Sequence, residues 1–250
     1  MDKPNVVVFD LDGTLTESKQ SLTAQMAGVL KKLLNQIPVA VMSGADLPQF
    51  EKQFLAFLPP DSNLPNLYLF PTNAARCLTY KDGVWLAVYS YSFTKEEKDK
   101  IIEAVNKAVN TVSVIEDKKG YGERIEDRGE QITWSALGQE APLVLKAQWD
   151  PDHKKRERIR EELACLIPEF QISIGGATSI DITRKNISKK SGVVWLSKHF
   201  NFDPNQMLYV GDALFPGGND AEVKETGIKT SQVSGPADTL ILIKEILKEP

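Results

Sequence analysis

The chain has 250 residues, 42% hydrophobic and 26% charged, which is the balance of an ordinary globular protein able to bury a large core without covalent staples. Lys and Arg number 30 against 34 Asp and Glu, a formal net charge of −4 with no long run of one sign, and this argues against nucleic acid as a partner. The two cysteines, Cys77 and Cys165, lack zinc-ligand or redox spacing and are expected to pack as small hydrophobes.

The first apolar run, Val6 to Phe9, is β-branched and aromatic throughout, the pattern of a strand buried on both faces of a parallel sheet. It ends at Asp10, with no basic leader before it, and no later run approaches membrane-spanning length, so a cytoplasmic enzyme or binding module with no membrane partner is expected. Met26, Val29, Leu30, Leu33 and Leu34 then recur at helical spacing. Ile37 to Met42 follows as a second buried strand, stopped by Ser43-Gly44, which completes a β-α-β unit. Asp46 is placed to cap a helix whose apolar face is Phe50, Phe54, Phe57 and Leu58, and Leu67 to Phe70 is a third strand.

Between Val84 and Thr183 the pattern changes. Strand-like segments are alternating or mixed: Val84 to Tyr91, Tyr121 to Ile125, Gln131 to Leu137, Leu143 to Trp149 and Gln171 to Ile174. Two amphipathic helices lie among them, one opening with the capping-box pair Thr94 and Glu97, the other at Asp150-Pro151. This predicts an α+β layer inserted over residues 84–184. After Ser188 the first style returns, with a helix through Val193 and Leu196, a strand from Met207 to Val210, and a terminal helix carrying Leu240, Ile243 and Leu247. Residues 1–83 and 185–250 are therefore expected to form one doubly wound, Rossmann-like α/β domain.

Ligands of open α/β sheets bind at the carboxyl ends of the strands. There the sequence places Asp10-Leu11-Asp12-Gly13-Thr14 after the first strand, Ser43-Gly44 after the second, and Gly211-Asp212 with Gly217-Gly218-Asn219-Asp220 after the Met207 strand. A lone Asp-x-Asp is commonly a turn former, but two acidic clusters on separate strands repel one another unless a cation sits between them. Mg²⁺, with its oxygen ligands and its partnership with phosphate, is the natural occupant, and a carboxylate beside it can attack phosphorus.

The stretch Val7-Val8-Phe9-Asp10-Leu11-Asp12-Gly13-Thr14 resembles the first motif of the haloacid dehalogenase superfamily, and the later motifs follow in order. Ser43 matches the second motif, Lys189 the third with Lys190 as competitor, and Asp212, Asn219 and Asp220 the fourth. An insertion between the second and third motifs resembles the cap of subclass IIB, found on sugar phosphatases and on phosphomannomutases of eukaryotic type. Gly211 to Asp220 is similar to the metal loop of the latter, and Ser173-Ile174-Gly175-Gly176 with Ser179 and Asp181 to its sugar-binding stretch.

The resemblance implies Asp10 as nucleophile and Mg²⁺ ligand, and Asp12 as acid/base that also lends its carbonyl to the metal. Asp212 would complete the protein ligands, with Asn219 and Asp220 holding the metal's waters. Gly13, Ser43, Gly44 and Lys189 would bind the transferring phosphate, and Lys19, Arg128, Gly175, Gly176, Ser179 and Asp181 the rest of a small phosphorylated sugar. A homodimer joined through the cap is the implied assembly. Phosphomannomutases line the cap with several arginines. Here Gln139 stands where a second Arg is usual, Lys19 where a core Arg is usual, and no Arg stands near Leu145 or Lys146. Lys cannot supply a planar bidentate fork. Hydrolysis of a phosphosugar is therefore the leading expectation, a mutase of the same chemistry the alternative, and a non-catalytic phosphosugar-binding scaffold a lesser one. His153 and His199 are expected at exposed helix positions, the basic run Lys154 to Arg160 on a solvated helix face, and the four tryptophans in packing.

Overall fold

The computed structural model describes residues 3–114 and 120–248. The chain divides into two compact units, one formed by Met1–Ser90 with Ser188–Pro250 and the other by Tyr91–Ile187.

The first unit is a seven-stranded sheet in the order β11-β10-β1-β2-β3-β4-β5. Its strands are β1 (Val6–Asp10), β2 (Val39–Met42), β3 (Leu67–Phe70), β4 (Arg76–Lys81), β5 (Val84–Ser90), β10 (Met207–Gly211) and β11 (Lys229–Gln232). Those from β11 to β3 are parallel, while β4 and β5 join as an antiparallel hairpin. Strand period two explains why β1 needs apolar residues at every position. Val7 and Phe9 enter one core, under α1 (Ala24–Leu34) and α8 (Pro236–Leu247), while Val6 and Val8 enter the other, under α7 (Lys189–Phe200). The chain leaves β1 toward β2 and returns through β10 on its other side. The crevice at the carboxyl ends of β1 and β10 is thus a topological switch point.

Two local features complete this unit. Asp46 caps α2 (Leu47–Gln53) by accepting from Gln49 N at 3.0 Å. The single irregular turn α3 (Pro71–Ala74) follows β3 with Thr72, Asn73 and Ala74 all at positive φ, and Asn73 N donates to Ser43 O at 2.8 Å. Consecutive left-handed non-glycine residues are costly, and such strain persists where the surroundings enforce it.

The second unit is an antiparallel sheet, β6-β7-β9-β8, from β6 (Ile125–Asp127), β7 (Ile132–Ser135), β8 (Phe170–Gly175) and β9 (Ser179–Arg184). Two helices, α4 (Lys95–Val112) and α6 (Lys154–Leu166), pack their apolar faces, including Ile101, Val105, Ile159 and Leu163, against Ile132, Trp134, Ile180 and Ile182. Thr94 and Glu97 form the expected capping box of α4. The alternate sheet positions carry Thr133, Ser135, Asp181 and Thr183, so one face of this sheet is polar.

Several expectations are corrected. The strand from Val84 pairs with β4 in the large sheet, so the inserted unit begins after Ser90, and it runs to Ile187 rather than ending at 184. The apolar run at Leu143 is not a strand but helix α5 (Leu143–Trp149), whose Leu143 and Val144 are exposed. A short apolar run carries no period that separates helix from strand. Phe57 and Cys165 are exposed and Arg156 in the basic run is buried, whereas His199 is exposed on α7 as expected, its ring stacked on Trp195 with centroids 4.5 Å apart. Among the described residues no helix is long and apolar enough to cross a membrane.

Candidate active site

Asp10 closes β1 and is 4% exposed. Lys189, first residue of α7, is equally buried and places its Nζ 2.5 Å from Asp10 Oδ1 and 2.6 Å from Asp220 Oδ1. A lysine at a helix N-terminus opposes the helix dipole, so it stays there because two carboxylates compensate it. Its neighbour Lys190 instead pairs with Glu225 at the surface. Asp220 is held further by Tyr209 Oη at 2.7 Å on Oδ1 and by Ala213 N at 3.3 Å on Oδ2.

Asp212, just past the end of β10, completes a group in which one carboxylate oxygen from each of Asp10, Asp212 and Asp220 lies within 4.8 Å of the others. Gly13 makes room for it. A Cβ at Gly13 would fall 2.6 Å from Asp212 Oδ2, and the residue sits at φ +83°. Thr14 Oγ1 accepts from Asp212 N at 3.1 Å, which ties the two sequence motifs together.

The electrostatics follow from this crowding. Burial pushes the Asp10 carboxyl up to about 8, with Asp220 and Asp212 adding to the rise against the opposing pull of Lys189. Burial, then Asp220, raises Asp212 as well. For Lys189 burial favours the neutral amine, but the Asp10 and Asp220 carboxylates overcome it and raise its pKa above the ordinary lysine value. The site is short of positive charge by more than one lysine. An oxygen-rich cluster of this kind fits a hard divalent cation, which would offset the burial and the carboxylate repulsion that raise Asp10. Asp220, with both oxygens already accepting hydrogen bonds, is better suited to bracing Lys189 than to binding the ion directly.

The Asp12 carboxylate stands apart from that cluster. Its Oδ1 accepts from Lys19 N at 2.6 Å and from Gln53 Nε2 at 2.9 Å, and Gln53 also donates to Thr16 Oγ1 at 2.7 Å. Lys19 therefore meets Asp12 through its backbone. Gln53 escaped the sequence reading because a glutamine on the last turn of an amphipathic helix carries no spacing signal. Ser43, one residue beyond the Asp10↔Met42 pair, is buried and its Oγ accepts from Ala45 N at 3.1 Å, with Gly44 between them. Asn219 is exposed beside Asp220.

The remaining residues singled out in the sequence belong to the inserted unit. Arg128 Nη2 pairs with Glu126 Oε2 at 2.6 Å. Gly175 ends β8 and Gly176 opens the β8–β9 turn, followed by Ser179 and Asp181 on β9. Asp181 Oδ1 accepts from Thr133 Oγ1 at 2.9 Å, and a Cβ at Gly175 would lie 2.7 Å from Asp181 Oδ2. Lys146 is buried and donates to Gln139 O at 2.9 Å.

A doubly wound sheet whose switch point gathers Asp10, Lys189, Asp212 and Asp220 defines an acid-rich phosphoryl-transfer fold. Residues 7–223 match the family model of the haloacid dehalogenase-like hydrolases, and the chain belongs to that family, in subclass IIB. It is 27% identical over 252 residues to a phosphomannomutase of Spinacia oleracea, covering 98% of this chain and 96% of that protein. An N-terminally truncated Plasmodium falciparum IMP-nucleotidase shares its fold with a TM-score of 0.73 at 17% identity, over 98% of this chain and 71% of that one. The C-terminal domain of C. albicans trehalose-6-phosphate phosphatase does so with a TM-score of 0.66 at 17% identity, over 99% and 93%.

Proposed function

We propose that this protein transfers the phosphoryl group of a phosphorylated sugar through an aspartyl phosphate on Asp10, and that it does so as a phosphosugar mutase. The observation that carries the chemistry is the buried Asp10–Lys189–Asp220 contact beside Asp212. The full-length similarity to phosphomannomutases favours transfer to a sugar over transfer to water.

Asp10, Asp212 and the Asp12 carbonyl would hold Mg²⁺. When bound, that ion neutralises the carboxylates, keeps Asp10 ionised and offsets its repulsion from phosphate. Asp10 then attacks phosphorus. The P–O bond to the sugar breaks, and the sugar oxygen takes a proton from Asp12, because an alkoxide leaves poorly without one. Lys189 and Ser43 stabilise the transferring oxygens, while Lys19 N and Gln53 hold Asp12 Oδ1 and leave Oδ2 to carry the proton. In the return step an incoming hydroxyl gives its proton to Asp12 and attacks the phosphoaspartate.

A second reading, hydrolysis, is favoured by one specific observation. Gln139 replaces an arginine of the resembled cap, and Lys146 is already engaged with the Gln139 carbonyl. A panel of phosphosugars with Mg²⁺ and a trace of hexose bisphosphate, scored for isomer formation and for inorganic phosphate, tests both. Bisphosphate-dependent isomerisation supports the mutase. Free phosphate alone supports the phosphatase, and the absence of both products contradicts the common mechanism.

A further inference from the structure

Arg156 lies in a run of charged residues, Lys154 to Arg160, yet it is 1% exposed. Its guanidinium makes four hydrogen bonds within the inserted unit. Nε donates to Asp150 Oδ2 at 2.8 Å and Nη2 to Asp150 O at 3.2 Å, while Nη1 donates to Gly175 O at 3.2 Å and Gly176 O at 2.6 Å. Asp150 is fixed in turn, since its two oxygens accept from Lys155 N at 2.9 Å and Arg156 N at 3.1 Å at the start of α6. One rigid fork thus fastens the first turn of α6 to the β8–β9 turn.

The consequence lies in the direction of the peptide groups. In a trans peptide the C=O and the following N–H point opposite ways, so two carbonyls turned toward Arg156 direct the Gly176 and Ala177 N–H groups away from it. Gly176 and Ala177 are exposed. Asp181, packed against Gly175 where any Cβ would collide with it, lies beside the same turn.

We infer that Arg156 is a positioning residue for phosphosugar binding: it fixes the Gly175–Gly176 turn so that the Gly176 and Ala177 amides and Asp181 are presented to oxygens of the substrate. This rests on the phosphosugar reading above. Lys cannot replace Arg156, because an ammonium is a point charge that does not span Asp150 and two carbonyls in one plane.

The test uses the full-length protein with Mg²⁺, assayed on its phosphosugar and on acetyl phosphate, which has no sugar to position. Arg156→Lys should raise KM for the phosphosugar about tenfold or more while kcat changes less than about threefold, with acetyl phosphate turnover unchanged. Amide exchange at residues 175–178 should quicken in the same variant. Should Arg156→Lys fold poorly, the double variant Asp150→Asn with Arg156→Met leaves no unpaired buried charge and should show the same KM rise. A folded variant with wild-type KM, or an equal loss of kcat on both substrates, overturns the inference. A wild-type protein that turns over acetyl phosphate but no phosphosugar overturns the functional reading instead, and the substrate role assigned here with it.

Discussion

Lys189 and Asp10 are 179 residues apart in the chain and 2.5 Å apart in the structure. The buried ammonium also reaches Asp220, so its loss would leave three carboxylates facing each other. Lys189→Met should lower kcat by at least about a hundredfold and destabilise the fold by about 3 kcal/mol. Lys190→Met, which removes only a surface pair with Glu225, should cost less than about 1 kcal/mol and leave turnover intact. Steady-state kinetics and urea melts of the two variants check this contrast.

Asp10 titrates at about 8 in the folded metal-free protein against an ordinary 3.8. Between those values the folded state holds a proton that the unfolded state has released, so this group's contribution to stability is full below the lower value and is lost as pH rises toward the upper one. Asp10→Asn removes the ionisation. Without metal, the variant should match the wild type below about pH 4 and melt progressively further above it as pH rises toward 8. Added Mg²⁺ should raise the wild-type melting temperature most at the alkaline end and act weakly on the variant. Thermal melts across pH with and without Mg²⁺ measure both effects.

Gly13 carries a different constraint. Gly13→Ala places a methyl 2.6 Å from Asp212 Oδ2 at a left-handed φ, so Asp212 must move. The Mg²⁺ concentration giving half-maximal activity should rise about tenfold or more, a shift comparable to disturbing the support of a metal ligand. An unchanged Mg²⁺ titration would argue that Asp212 is not a ligand.

Gln53 and Asp12 should share a kinetic signature. Asp12→Asn removes the proton donor and Gln53→Leu frees Asp12 Oδ1 of one of its two donors. Both should slow alkyl phosphates more than nitrophenyl phosphate, whose leaving group needs little protonation, with a loss on alkyl substrates of about a hundredfold for Asp12→Asn. Equal losses on both substrates would remove Asp12 from the acid role.

The parts of the fold legible from the sequence are those where one residue pattern has one physical solution. Val6 to Phe9 can satisfy four consecutive apolar side chains only between two helical layers, and Thr94 with Glu97 can close only a capping box. Leu143 to Leu145 has no such uniqueness, and its residues became an exposed helix. Hairpin strand β5 joined the large sheet because its partner, β4, precedes it by a tight turn, a local pairing hidden by the alternating pattern shared with the inserted unit. Within the site, the acidic motifs were legible because like charges at strand ends demand compensation. Gln53, Tyr209 and Arg156 were not, since each acts through a contact whose partner is distant in sequence and whose residue type has many ordinary uses.

The most direct test is acid quenching of the full-length protein during turnover of a phosphorus-labelled phosphosugar with Mg²⁺, followed by peptide mapping. Label should be found on the peptide bearing Asp10, be lost under alkaline treatment as an acyl phosphate is, and be absent from Asp10→Asn. Turnover proceeding with no bound label, or label persisting on another residue in Asp10→Asn, would contradict nucleophilic attack by Asp10.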